Sequence, residues 1–176
     1  ENNSYMFVTG PNVVKTVTNE EVNSEELGGA ATHASKSGVC HITSPNGVEC
    51  LEDIKRLLSY IPQNNRETTP KLPYGFQDEV REKLDTLVPD SANKPYDMHE
   101  VISGIIDEDS FFEIHKDFAE NIVVGFARLG GRSIGIVANN PKYLAGCLDV
   151  KSSIKGARFV RFCDCFNIPL LVLEDV

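Results

Sequence analysis

No apolar run of about eighteen residues occurs anywhere in this 176-residue sequence, which excludes a membrane-spanning helix. Nothing near its start reads as a charged stretch followed by an apolar one, so no signal peptide is expected. An overall excess of positive charge is missing as well: the formal net charge is −9, which argues against nucleic acid as a general partner, because phosphate binding wants clustered Lys and Arg. Five cysteines, Cys40, Cys50, Cys147, Cys163 and Cys165, form an odd set without paired metal-ligand spacing. They suggest a reducing compartment, with thiols that are simply buried or solvent-facing. The four histidines, His33, His41, His99 and His115, are dispersed too widely to suggest a metal site. There is no Gly-x-Ser-x-Gly elbow, no phosphate loop, no His-Glu-x-x-His helix, no internal repeat and no low-complexity tract. What remains is 41% apolar, enough to bury a core as one domain or as parts of two.

The clearest local signals lie in 121–176. Asn121–Leu129 and Arg132–Asn139 carry β-branched residues on either side of Gly130-Gly131, which predicts two strands joined by a tight turn with positive φ. Asp149 then supplies a helix cap. Val150, Ile154, Ala157, Phe159, Val160, Phe162, Cys163 and Phe166 supply an apolar face. Ile168–Leu173 reads as a buried strand entered through Pro169. In open α/β sheets ligands sit beyond the carboxyl ends of strands, which directs attention to the ends of these strands.

Upstream, Tyr5–Thr9 reads as a short strand and Gly10-Pro11 as a helix start. Ser24–Leu27 reads as a helical turn halted by Gly28-Gly29, and Cys40–Thr43 as a strand. Asn46 is positioned to cap an amphipathic helix carrying Val48, Leu51, Ile54, Leu58 and Ile61, ended by Pro62. The proline- and asparagine-rich stretch that follows is the expected boundary, dividing the chain into 1–62, a linker over 63–80, and 81–176. Asp97 with Glu100 offers a capping box before Val101, Ile102, Ile105 and Ile106. Asp109 offers a cap to a short helix through Phe111, Phe112 and Ile114.

Charge is unevenly placed. Arg128, Arg132, Lys142, Lys151, Lys155, Arg158 and Arg161 stand in 121–166 against only Asp149 and Asp164. A positive surface there would favour an anionic ligand such as a carboxylate or a nucleotide phosphate; a solvated helix face is the other reading. His99 and His115 fall on expected helices with charged neighbours and are expected at the surface, and His41 in its expected strand is structural. His33 stands apart because it follows Gly28-Gly29-Ala30 closely. Adjacent glycines let a backbone approach a ligand or aim N–H groups at it, the alternative being a helix stop with a left-handed glycine. Asn139-Asn140-Pro141 consists of ordinary turn residues.

Gly10-Pro11-Asn12-Val13-Val14-Lys15, Glu25–His33 and Ser37-Gly38-Val39, taken in order, resemble the carboxyltransferase subunits of biotin-dependent acyl-CoA carboxylases. Val124–Arg128, Gly146–Asp149 and Gly156–Asp164 are similar to the propionyl-CoA carboxylase β-subunit branch in particular. The likeness runs over essentially the whole chain and is weakest over 63–80. It implies an α/β, crotonase-like fold, with this chain holding the end of one domain and the start of a second. It also implies transfer of a carboxyl group from carboxybiotin, carried by a partner subunit, to the α-carbon of a coenzyme A thioester, propionyl-CoA, giving methylmalonyl-CoA. In such subunits two glycine-rich turns stabilise the negative oxygens of the acyl enolate and of biotin. By the resemblance both turns fall outside this sequence, so no residue here is assigned as catalytic and none as a metal ligand. Gly28, Gly29, Ala30 and His33 are the implied substrate-side residues, and Asn139, Asp149 and Lys151 the implied biotin-side lining. The implied partners are a biotin carboxylase or biotin carrier subunit and further copies of the same chain, as a hexamer. The implied compartment is the mitochondrial matrix in a eukaryote or the cytoplasm in a bacterium. Alternatives are the related subunit of a methylmalonyl-CoA decarboxylase or transcarboxylase, a non-catalytic crotonase-like interaction module, and an acyl-CoA hydratase.

Overall fold

A computed structural model describes residues 4–74, 84–91 and 94–175. The chain forms two compact units, residues 1–54 with 115–118, and residues 55–114 with 119–176. The first unit's end thus precedes the 63–80 stretch expected as a linker, of which 63–74 belong to the second unit and 75–80 lie outside the described residues.

In the first unit, α1 (Pro11–Thr18) begins on proline, whose missing N–H costs nothing in a first turn. Then α2 (Ser24–Gly28) starts at Asn23, whose side chain accepts from the Glu26 N–H while Glu26 accepts from the Asn23 N–H. A further helical stretch follows directly as α3 (Ala30–Thr32), widening into a π-helical turn at His33–Ser37. The expected strand Tyr5–Thr9 reduces to one antiparallel bridge between Tyr5 and Gly29. Cys40–Thr43 is not a strand: it runs irregularly, and the hydrogen bond from the His115 N–H to the His41 carbonyl is one contact rather than a ladder. His115 itself is buried, contrary to the expected surface position, with its ring 4.3 Å from that of His41. The chain enters α4 (Gly47–Leu58), whose residues from Lys55 on are counted with the second unit, through Asn46, which accepts from Val48 and Glu49 as anticipated.

The second unit is built on a four-stranded sheet of β1 (Phe112–Ile114), β2 (Ile122–Leu129), β3 (Arg132–Asn139) and β4 (Leu170–Leu173), in that order. The first two pairs are antiparallel and β3–β4 is parallel. The β2–β3 hairpin turns through Gly130 at φ +60° and Gly131 at φ +75°, the left-handed pair its two-residue loop requires. Short helices α5 (Leu84–Leu87) and α6 (Met98–Ile105) precede the sheet, and α7 (Val150–Cys165) connects β3 to β4.

Both faces of β2 and β3 are covered, which is why their apolar runs are nearly continuous. On one face Met98 and Ile102 of α6, with Ile106 beyond it, pack on Val123, Ala127, Ile134, Ile136 and Ala138. Each buried valine, isoleucine or methionine side chain there contributes about 1.5–3 kcal/mol. The other face gathers Phe126 and the α7 aromatics, with the Phe126 and Phe159 rings 5.1 Å apart and Tyr60 6.0 Å from Phe126. Gly135 makes this close approach possible, since a Cβ there would stand 2.8 Å from Cys163 Sγ. Burial raises that thiol to about 12, so Cys163 is an inert packing residue.

Three expectations are corrected here. Phe111–Ile114 does not form a helix capped by Asp109; Asp109 turns through φ +52° and Phe112–Ile114 pairs with Val124–Phe126. The buried stripe of α7 is Ser152, Lys155, Gly156, Phe159 and Cys163, whereas Val150 and Ile154 are exposed. The strand after Pro169 is not buried: Leu170 and Val172 are exposed and Leu171 and Leu173 half-buried. Two of the seven basic residues of 121–166 also leave the surface. Arg128 is 5% exposed and donates to the Ser59 and Pro70 carbonyls and Ser133 Oγ, stacked 4.6 Å from the Tyr60 ring centre. Lys155 is 1% exposed, with Nζ donating to the Ala119 carbonyl at 3.3 Å.

Candidate functional site

The carboxyl ends of the parallel pair β3–β4 open into a cleft of about 1120 Å³. Ile122, Val137, Ala138, Val172 and Leu173 give it apolar walls; Tyr96, Asn139, Lys142, Cys147, Glu174 and Asp175 give it polar groups. This is the place the strand-end rule indicates. A second cavity of about 800 Å³, beside Leu72, Tyr74, Ile105 and Leu129, contains one carboxylate, Asp107, and that is spent on the Gly130 and Gly131 N–H groups at 2.9 and 2.7 Å. The larger cleft is therefore the candidate.

Its floor is fixed by reciprocal hydrogen bonds. Asn139, the last residue of β3, donates Nδ2 to the Asp175 carbonyl at 2.6 Å and accepts the Asp175 N–H at 2.9 Å, clasping the ends of β3 and β4 together. Tyr96 reaches the Asp175 side chain; burial first, and then that hydrogen bond, raise its phenol to about 12, so it is a neutral group. The loop after β3 is tied by Asn121, which donates Nδ2 to the Cys147 carbonyl at 2.8 Å and accepts the Asn140 N–H through its own carbonyl at 2.9 Å. Within this loop Leu144, Ala145 and Gly146 all take positive φ, 49°, 51° and 73°. For the first two, left-handed backbone costs about 1–2 kcal/mol each, a local strain placed on the cleft's own rim. Gly146 is required also for space, because a Cβ would stand 2.7 Å from Asn139 Nδ2.

Beyond the rim, Asp97 caps α6 but not by the capping box expected with Glu100: its Oδ1 accepts the His99 N–H at 3.1 Å and faces His99 Nδ1 at 2.6 Å. His99 Nε2 faces Glu113 Oε2 at 3.0 Å, so His99 is half-buried between two carboxylates and not a surface residue. Asp97 Oδ2 accepts from Lys142 Nζ at 2.9 Å. Burial would raise the Asp97 carboxyl, but hydrogen bonds from Lys142 and His99 hold it well below the usual carboxylate range. The Glu113 hydrogen bond foremost, opposed in part by burial and aided by Asp97, raises His99, and the Asp97 hydrogen bond raises Lys142.

Of the residues expected on the biotin side, Asn139 alone lines the cleft. Asp149 caps α7 through the Ser152 N–H at 2.9 Å, its carboxyl lowered by that bond, and Lys151 is exposed on the first turn of the same helix. Gly28, Gly29, Ala30 and His33 do come together in the first unit. A Cβ on Gly28 would stand 2.3 Å from the Met6 carbonyl oxygen, and the Met6 N–H donates to the Gly28 carbonyl at 2.8 Å. His33 bridges Met6 O at 2.5 Å and Ser37 Oγ at 2.8 Å. Gly29 sits at φ −71°, ψ 163°, so the pair is not a left-handed helix stop. Sequence reasoning missed Tyr96 as a wall of the cleft and Asn140 and His99 as groups behind its rim; the Asn139-Asn140-Pro141 turn was a local signal for Asn140 alone.

Residues 1–176 match the carboxyl transferase domain family along their whole length. The chain belongs to that family. It is 57% identical over 177 residues to the propionyl-CoA carboxylase beta chain of Roseobacter denitrificans, covering all of this chain and 35% of that protein. It is 50% identical over 174 residues to the mitochondrial propionyl-CoA carboxylase beta chain of Homo sapiens, covering 98% of this chain and 32% of the other. Among solved structures, the transcarboxylase 12S hexamer with hydrolysed methylmalonyl-coenzyme A bound superposes with a TM-score of 0.95 at 44% identity, over 98% of this chain and 34% of that one. The α/β fold is thus the crotonase-like fold of carboxyltransferases, and the chain spans about a third of the length of the relatives it matches.

Proposed function

We propose that this chain works as part of a longer propionyl-CoA carboxylase carboxyltransferase subunit, moving the carboxyl group of carboxybiotin to propionyl-CoA to give methylmalonyl-CoA. The observation that carries this reading is identity above one half, along the whole chain, to a propionyl-CoA carboxylase beta chain. Biotin, carried by a partner biotin carboxylase or carrier subunit, would supply the activated carboxylate. The cleft has room for its bicyclic head: at about 1120 Å³ it lies just above the range of about 300–1,000 Å³ typical of small-ligand sites, and its apolar walls are set among polar side chains. Ile122, Val137 and Leu173 would exclude water from the ring, Tyr96 would present a neutral phenol, and Lys142 at the rim would attract the carboxylate by charge. We place Asn139 in this wall, with Asp149 and Lys151 on the adjoining start of α7. The acyl-CoA side is proposed at Gly28, Gly29, Ala30 and His33 of the first unit. We assign the acid, base and oxyanion roles to none of these residues. A hexameric core of such subunits and a matrix or cytoplasmic location complete the proposal.

The test uses the full-length polypeptide with its biotinylated partner. Propionyl-CoA, ATP and bicarbonate should give methylmalonyl-CoA by mass spectrometry, and omission of the partner should abolish it. Carboxyl transfer from methylmalonyl-CoA without ATP to a final acceptor other than biotin, or simple loss of its carboxyl group, would replace this reading with a transcarboxylase or decarboxylase. Water addition to an enoyl-CoA without biotin would make it a hydratase.

A further inference from the structure

We propose that Asp97 is a positioning residue for the cleft: it holds the Asn140–Lys142 turn at the cleft's mouth, and His99 sets how firmly Asp97 is itself held. The connections are direct. Lys142, which lines the cleft, donates to Asp97 Oδ2 at 2.9 Å. Asn140 is fully buried behind it, donating Nδ2 towards Asp97 Oδ1 at 3.4 Å while its own Oδ1 accepts the Met98 and Lys142 N–H groups at 3.2 and 3.3 Å. The start of α6 and the turn after β3 are thereby knotted through two side chains, 43 residues apart in sequence.

The other side of the knot is ionisable. Asp97 and Glu113 are hydrogen-bond acceptors when charged, and each faces a different ring nitrogen of His99, so both contacts exist together only when the ring carries two protons. The charged and titratable groups around His99 are Asp97 at the cap of α6 and Glu113 of β1, those around Lys142 are Asp97, Glu100 of α6 and Tyr143, and the Phe111 ring lies 6.2 Å from the His99 ring, edge to face. Because folding raises His99, its contribution is complete below the unfolded value of 6.5 and is lost as pH rises through the folded value. The neutral ring keeps one N–H to share between two carboxylates and no longer offers Asp97 a positive charge, so the grip of Asp97 on the turn loosens under alkaline conditions.

The positioning claim rests on geometry alone; only its link to a ligand rests on the biotin-side reading of the cleft. Asp97→Asn keeps a competent helix cap while removing the charge, and it is made in the full-length subunit. Amide exchange over 140–147 should be about fivefold faster in this variant, the scale of losing a partly exposed ion pair, and Asp97→Glu should restore part of the protection. In the parent, exchange corrected for its intrinsic rate should accelerate from pH 6 to 9, and His99→Gln should flatten that profile. Unchanged exchange in Asp97→Asn, or a sloping profile in His99→Gln, overturns the proposal. In parallel, carboxyl transfer from methylmalonyl-CoA to free biotin should show a raised KM for biotin at nearly constant kcat. Faster exchange with an unaltered KM would overturn the link to the ligand, whereas absence of this reaction in the parent would count against the proposed function and leave the exchange result standing.

Discussion

Two glycine pairs divide the chain's use of glycine between space and handedness. Gly28-Gly29 has ordinary negative φ at Gly29, and the pair is needed because the backbone of Met6 and the turn of Glu25 leave no volume for a Cβ. Gly130-Gly131 sits at positive φ in the hairpin; a Cβ on Gly130 would meet nothing within 4 Å, while one on Gly131 would also run into the Leu72 carbonyl oxygen at 2.2 Å. Identical dipeptides therefore answer different constraints, and only one of the two could be diagnosed from its flanks. Alternating β-branched residues announce a hairpin; close approach by a segment some twenty residues upstream announces nothing.

Substitutions can take this contrast apart. Gly131→Ala meets both constraints and should be the most damaging, lowering stability by about 3 kcal/mol in denaturant titrations of the intact polypeptide, with exchange rising over 70–74 and the hairpin. Gly28→Ala meets only the steric one and should cost about 2 kcal/mol, with faster exchange confined to the Met6 N–H and its neighbours. If Gly28→Ala instead loosened the hairpin, the separation of roles would be wrong. Gly130→Ala should cost about 1 kcal/mol from left-handed strain alone. Gly130→Asn should recover most of it, leaving a deficit of about 0.5 kcal/mol or less, since asparagine tolerates that backbone; equal losses for Ala and Asn would point to space after all.

The same logic explains how much of the molecule was legible. Elements governed by neighbours in sequence were readable: Pro11 opening α1, Asn46 capping α4, Asp149 capping α7, and the turn between β2 and β3. Phe111–Ile114 was misread because its three apolar residues, Phe111, Phe112 and Ile114, fit either period and the partner of Phe112–Ile114, Val124–Phe126, lies a loop away. Lys155 and Arg128 were assigned to a basic surface because a formal charge says nothing of the carbonyls that satisfy it inside. The cleft was foreseeable from strand direction. Its Asp97–Lys142 and Asn139–Asp175 contacts were not, because they join residues 45 and 36 positions apart.

Arg128 gives the segment after Tyr60 a different mechanical character from the one its prolines suggest. Its guanidinium grips the Ser59 and Pro70 carbonyls from inside the sheet, and the Leu72 N–H donates to the Gly131 carbonyl at 2.9 Å. A free tether sets the local concentration of what it joins by its length and stiffness. Residues 59–72 have no such adjustable reach: they are splinted to a hairpin, so inserting glycine and serine there would make a blister on a fixed strap and leave the distance between its ends unchanged.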